Sequence, residues 1–165
     1  MIIHIDNWIE ELKRLHSEFD EGCGHNEGHL IERALYYSAL IIRKFSETPF
    51  AKRDFLGPHM KGRAYASTDG AIDGLNWLDA RSHFDFNQGT AAQISLTDIC
   101  NILIHSKFLD WSPGSGQVKE IRVAAGIKSG IQAVGFAPAQ FKKMLLHVEQ
   151  YKFKKFPLRT ARRAA

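Results

Sequence analysis

Apolar positions along the first fifty residues recur at helical intervals. Trp8, Leu12, Leu15 and Phe19 lie four, three and four residues apart, with Ile5 and Ile9 beside them. Glu10, Glu11, Lys13, Arg14 and Glu18 take the other side. This stripe predicts a helix over about 5–21, ended by Gly22 and Gly24. A second helix is predicted over about 27–47, with Asn26 as its N-cap. Leu30, Ile31, Leu35, Leu40, Ile41, Ile42 and Phe45 give it a broad apolar face, widened by Ala34, Tyr36 and Tyr37. A helix apolar over so much of its circumference belongs in the middle of a bundle. Thr48-Pro49 closes it, because the residue before proline is pushed out of the helical region.

The pattern then weakens. Residues 50–90 contain Gly57-Pro58, Gly62, Gly70, Gly74 and Gly89, with Phe55, Tyr65, Trp77, Phe84 and Phe86 scattered among them. A structureless loop of that length is uncommon in a compact domain. One short helix near 73–80 is predicted there, within irregular packed chain. A third clear helix is predicted over about 96–109, with Ser95 as N-cap and Asp98 three residues on, a capping-box-like pair. Ile99, Ile102, Leu103 and Ile104 supply its apolar faces, and 110–116 reads as a turn cluster. The period next shortens: Val118, Ile121 and Val123, a turn at 127–130, and the run 131–136 read as a β-hairpin. Pro138 opens a last helix over about 138–153, striped by Phe141, Met144, Leu145, Val148 and Tyr151. The predicted fold is mainly α (α+β in class): a bundle of four to five helices with one small β-hairpin before the last.

Composition changes this picture little. The chain has 165 residues, 44% hydrophobic and 24% charged, which fits one folded domain and argues against disorder. That domain is expected over 1–153, with a basic tail over 154–165. The longest apolar run, 34–42, contains Ser38 and falls short of the roughly 20 residues a bilayer takes. Early acids and the lack of a small-residue cleavage site speak against a signal peptide. Only Cys23 and Cys100 are present, so no disulfide framework is expected. A reducing cytoplasm is the expected location. The formal net charge is +4, and it belongs to the end of the chain. Lys152, Lys154, Lys155, Arg159, Arg162 and Arg163 stand there without an acid. The expectation for this tail is a solvated terminus, with contact to phosphates as the functional alternative.

Candidate chemistry is sparse. Asn101 and His105 stand four apart on the third helix and so share a face of an otherwise apolar segment. Two such groups must pair with each other, meet water in a cleft, or cost about 1–3 kcal/mol each. A histidine titrating near neutrality beside a polar helper can act as acid or base toward a 2′-hydroxyl or a leaving oxygen. The alternative is a core histidine bonded to a backbone carbonyl. Arg53 and His59 have a comparable spacing, but Gly57-Pro58 breaks any helix between them. Cys23, His25 and His29, with His16 and Asp20 upstream, could in principle ligate zinc. Gly24 and Gly28 favour an ordinary polar turn instead. The glycines of 112–116 lack the ending of a P-loop.

The stretch SLTDICNILIH over 95–105, following two long helices of which the second reads HLIERALYYSALIIRKFSE, resembles the HEPN superfamily of helical bundles. That family commonly carries an arginine, then a polar residue, often asparagine, then three residues and a histidine. Asn101 and His105 match the last two positions. The resemblance implies a metal-independent endoribonuclease of a toxin–antitoxin or phage-defence system, with no cofactor. Its site would be paired across a homodimer, and RNA and a protein antitoxin are the implied partners. His105 would be the acid–base group, and Asn101 would orient it or contact ribose or phosphate. Cys100 stands at the arginine position and, with Lys107, would face substrate. A thiol cannot fork onto phosphate oxygens, and losing that charge costs phosphoryl-transfer stabilisation. The substitution favours a degenerate or merely RNA-binding member over an active nuclease, unless Arg81, Lys107 or Arg122 substitutes in space. The competing expectation is a non-enzymatic protein-interaction module.

Overall fold

The computed structural model describes residues 5–48, 51, 53–67, 82–114, 116–125 and 132–151. Helix α1 spans Ile5–His25 and α2 spans Gly28–Ser46. A 3-10 turn, Arg53–Leu56, leads into strand β1, His59–Ala66. Strand β2, Thr90–Ser95, runs directly into α3, Leu96–Ile104. Strands β3 (Ser106–Gly114), β4 (Gln117–Ala125) and β5 (Gln132–Phe136) follow, then α4, Pro138–Gln150. The strands form one antiparallel sheet in the order β2-β1-β5-β4-β3.

The sheet overturns the expected helical bundle with a single hairpin. The β4–β5 hairpin is present, but it is the middle of a five-stranded sheet. Strand β1 arises where irregular chain was expected, and β2 between that stretch and the third predicted helix. β1 does alternate, with Met60 and Ala64 on the core side and Lys61, Arg63 and Tyr65 on the other, but small residues mute the contrast. Strand β3 replaces the end of the third predicted helix and the predicted turn cluster. The apolar run 102–109 fits either period, and helix α3 stops at His105 because Ser106 already pairs with Ala125 of β4. The short helix expected near 73–80, the turn at 127–130 and the basic tail all lie outside the described residues.

One face of the sheet carries the main core. Leu12, Leu15 and Phe19 of α1, Ile99 and Leu103 of α3, and Phe141, Leu145 and Val148 of α4 pack there with Ile121, Val123 and Phe136. Helix α2 lies across α1 and α3 as an outer layer. The hydroxyl of Ser38, on α2, is fully buried with no hydrogen-bond partner among the described residues. Ser38→Ala is therefore expected to raise the unfolding free energy by about 1 kcal/mol, seen as a higher urea midpoint with an unchanged slope. The second face holds a smaller cluster, in which Tyr65, Ala124 and Ala133 are covered by Phe84 and Phe86.

Local signals fix the ends of several elements. Ser95 caps α3 as its sequence implies: its hydroxyl accepts from the Asp98 amide at 3.0 Å and donates to the Asp98 carboxylate at 2.6 Å. Pro138 opens α4. The α1–α2 connection is tighter than expected, because α1 continues through Gly22 and Gly24. Asn26 takes a left-handed conformation, φ 58°, and is not the N-cap. Its side-chain oxygen accepts from the Trp111 indole at 2.8 Å. A Cβ on Gly28 would lie 2.6 Å from that indole ring. Edge strand β3 is thereby latched to the turn between the two long helices.

Candidate functional site

Helix α3 supplies the expected pair. The cap at Ser95 fixes its first turn, and Leu96, Ile99, Cys100 and Leu103 bury its inner side. Rotation about a helix then places Asn101 outward at the border with α2, and His105 outward at the C-terminal end. Both are exposed. The backbone amide of His105 donates to the Asn101 carbonyl at 3.1 Å, closing the last turn. The imidazole is thus neither sealed in the core nor bonded to a buried carbonyl. Beside it, the Ser106 hydroxyl is hydrogen-bonded to the Tyr36 phenol of α2.

The packing of α2 against α3 brings a cation to this face. Ile42, Arg43 and Ser46 of α2, Leu56, and Leu96, Thr97, Cys100 and Asn101 of α3 line a hollow of about 20 Å³, room for about one water molecule. Arg43 therefore shares this hollow with Asn101. Its Nε lies 3.2 Å from Glu47, an exposed pair of little net strength. The positions first considered do not take this role. Arg81 lies outside the described residues. Lys107 is exposed at the start of β3. Arg122 sits on the second face of the sheet and is bonded to Glu120 at 2.8 Å.

Cys100 lies behind the hollow and is only 3% exposed. Burial pushes its thiol up to about 12, with Arg43 opposing weakly. At neutral pH it is a neutral wall residue, without the charge or the access that substrate contact would ask of it. Cys23 is buried in the last turns of α1, and no group of three His, Cys, Asp or Glu that could hold a metal occurs among the described residues. Arg53 begins the 3-10 turn and His59 begins β1, so they share no helical face. Among the described residues no helix is long and apolar enough to cross a membrane.

Arg43 was missed because its approach to Asn101 is set by tertiary packing. The only sequence signal is its place on α2, one turn before Ser46 and on the flank of the apolar face. Comparison with known proteins finds no matching family model, no matching curated protein and no matching solved structure.

Proposed function

We propose that the chain is an RNA-associated protein that binds RNA on the α2–α3 face without cleaving it. The observation that supports this reading is Arg43 sharing a hollow with Asn101. The cation that Cys100 cannot provide comes from the neighbouring helix. In this arrangement Arg43 takes phosphate oxygens, Asn101 offers an amide to ribose or a base edge, and His105 forms the rim. Cleavage asks for more than this. A general base must be oriented by a partner and held at the reacting oxygen. His105 is an exposed helix-end side chain, and the hollow beside Asn101 has room for only about one water molecule.

The test is fluorescence anisotropy with a labelled single-stranded RNA, run at several salt concentrations. Arg43→Ala is expected to weaken binding about tenfold and to reduce the salt slope by about one. His105→Ala is expected to weaken binding by a few-fold, with no change in RNA integrity on a gel. Absence of RNA binding overturns the reading. Cleavage by the wild type that His105→Ala abolishes replaces it with a nuclease. A second reading is favoured by Tyr37 and Leu40, which stand one turn apart on α2 and are 55% and 50% exposed. A pair this apolar fits a protein partner, and in that case Arg43→Ala leaves RNA affinity unchanged.

A further inference from the structure

The two edges of the sheet are built differently. Its outer strands are β2 and β3. Strand β3 carries Lys107, Asp110 and Pro113, shifts register twice against β4, and is latched to the α1–α2 turn through Trp111. Charge, proline, irregular register and a covering contact are devices that keep an edge strand from pairing with another chain. Among the described residues β2 has none of them. Thr90, Ala91, Ala92, Gln93, Ile94 and Ser95 include no charge, proline or glycine. They follow β1 through consecutive pairs without a shift.

Hydrogen bonds on β1 show which backbone groups of β2 face outward. The Lys61 amide donates to the Gln140 side chain of α4 at 3.4 Å, so it points away from β2. The Ala64 carbonyl points toward β2, where it accepts from the Thr90 hydroxyl at 3.3 Å. Hydrogen-bonded and non-hydrogen-bonded positions alternate along an antiparallel pair. Lys61 stands opposite Gln93 at a non-hydrogen-bonded position, so the Gln93 N–H and C=O turn to the open edge. Ala91 and Ser95, two residues to either side, turn the same way. Ala91 and Gln93 are exposed and Ser95 is half-buried. Among the described residues no strand pairs with this side of β2.

The outward-turned residues are symmetric about Gln93. A second copy of β2, laid antiparallel across a two-fold axis at Gln93, pairs Gln93 with its own counterpart and Ala91 with Ser95. Each such pair exchanges two backbone hydrogen bonds, so every outward group on these residues finds a partner. An axis at Ala92 would instead set Ser95 against Gly89, beyond the strand. On the inner face Ala92 meets Ile94 of the second copy. Both residues already pack with the main core, so the apolar layer continues across the axis. On the outer face two Gln93 side-chain amides meet. No like charges meet on the strand itself. Lys61 stands one strand further in, which puts the two Lys61 positions three strand spacings apart, about 14 Å. That exceeds the screening length of ~8 Å at physiological salt.

We propose that β2 is the surface through which two copies of this chain pair, joining their sheets into one. The contact is isologous, with the same strand on both sides. A foreign extended segment would meet the same N–H and C=O groups. The symmetric placement of Ala91, Gln93 and Ser95 and the absence of charge on the strand favour the chain's own copy. The proposal does not depend on RNA binding at the α2–α3 face.

The experiment measures the mass of the full chain by analytical ultracentrifugation from micromolar to submillimolar concentration. The wild type is expected to pass from monomer to dimer. Gln93→Pro removes an N–H that does not serve β1 and so deletes both axial bonds. It is expected to weaken dimerisation about tenfold or more. Gln93→Lys keeps that N–H and sets two like charges on the axis. It is expected to weaken dimerisation several-fold at an unchanged urea midpoint, which separates lost pairing from lost folding. Cross-linking reads the register. Gln93→Cys is expected to give a disulfide-linked dimer on mild oxidation, because its two Cα atoms stand about 5.5 Å apart, within the span of a disulfide. Thr90→Cys is expected not to, because the two copies of residue 90 lie about 20 Å apart along the strands. The native Cys23 and Cys100 are buried and stay out of the reaction. A wild type that remains monomeric throughout overturns the proposal. So does a dimer that neither Gln93 substitution weakens, or cross-linking of Thr90→Cys as fast as Gln93→Cys.

Discussion

Phe141→Ala is expected to lower the unfolding free energy by about 3–5 kcal/mol, a large fraction of the roughly 5–15 kcal/mol that a folded domain has to lose. Phe141 is fully buried. Its ring centroid lies 5.2 Å from that of Phe19 on α1 and 6.0 Å from that of Phe136 on β5. One side chain thus joins three elements: the closing helix, the first helix and the central strand. The polar contacts across the α1–α4 seam do not replace it. His16 meets Glu149 at 2.8 Å and Lys142 meets Asp20 at 2.6 Å. Lys142 and Asp20 are both substantially exposed, and such pairs contribute little. Truncation leaves a cavity under a helix of 13 residues, too short to persist without its apolar stripe. Urea unfolding followed by circular dichroism reads the effect. Lys143→Ala, exposed on the same helix, is expected to stay within about 0.5 kcal/mol of wild type. Equal losses in the two variants would show that α4 is not docked by its aromatic residue.

The helices were legible in the sequence because each carries its own period. The stripe through Leu12, Leu15 and Phe19 and the one through Phe141, Met144, Leu145 and Val148 mark buried faces. Ser95 and Pro138 mark true helix starts. The sheet was legible only where the strands are adjacent in the chain, at β4 and β5. β1 draws its partners from β2 and β5, both distant in sequence. Its alternation is diluted by Gly62, which lies close to the Gly135 carbonyl. At β3, Leu109 and Trp111 face the main core while Phe108 joins the second cluster. A strand apolar on both faces shows no two-residue period.

The candidate site divides in the same way. That Asn101 and His105 share a face follows from helix geometry alone. That a guanidinium shares a hollow with Asn101 follows from the packing of α2 on α3, and no spacing within 95–107 encodes it. Cys100 stands at the vacant arginine position of that motif. Its neighbours Ile99, Leu96 and Leu103 already mark it as inward-facing, and its burial is the plainer reading of that turn.

The two buried thiols make stability fall at high pH. Burial holds Cys100 up to about 12, against a weak opposing effect of Arg43. Burial and then the Asp20 carboxylate hold Cys23 up to about 12, with Lys142 opposing. In the unfolded chain both ionise near 9.0. A folded-state value above the unfolded one means that the folded protein binds more protons at alkaline pH. The contribution is therefore fully present below about pH 9 and is lost as pH rises from about 9 to about 12. One unit of difference is worth about 1.4 kcal/mol, so Cys100 contributes up to about 4 kcal/mol of alkaline destabilisation. Cys23, nearer the surface at 8% exposed, contributes less. Tyr65, raised first by burial and then by its bond to Glu120, acts in the same direction. It is common to the wild type and to a Cys23→Ala Cys100→Ala variant. That variant starts less stable, because two buried groups are truncated, but its urea midpoint is expected to fall less steeply between about pH 8 and pH 11. Parallel slopes in the two proteins would mean that both thiols titrate normally in the folded state. Thiol chemistry gives a second readout. In the native protein a disulfide reagent at about pH 8 should modify neither cysteine faster than global opening allows, because a thiol held near 12 is almost wholly protonated there.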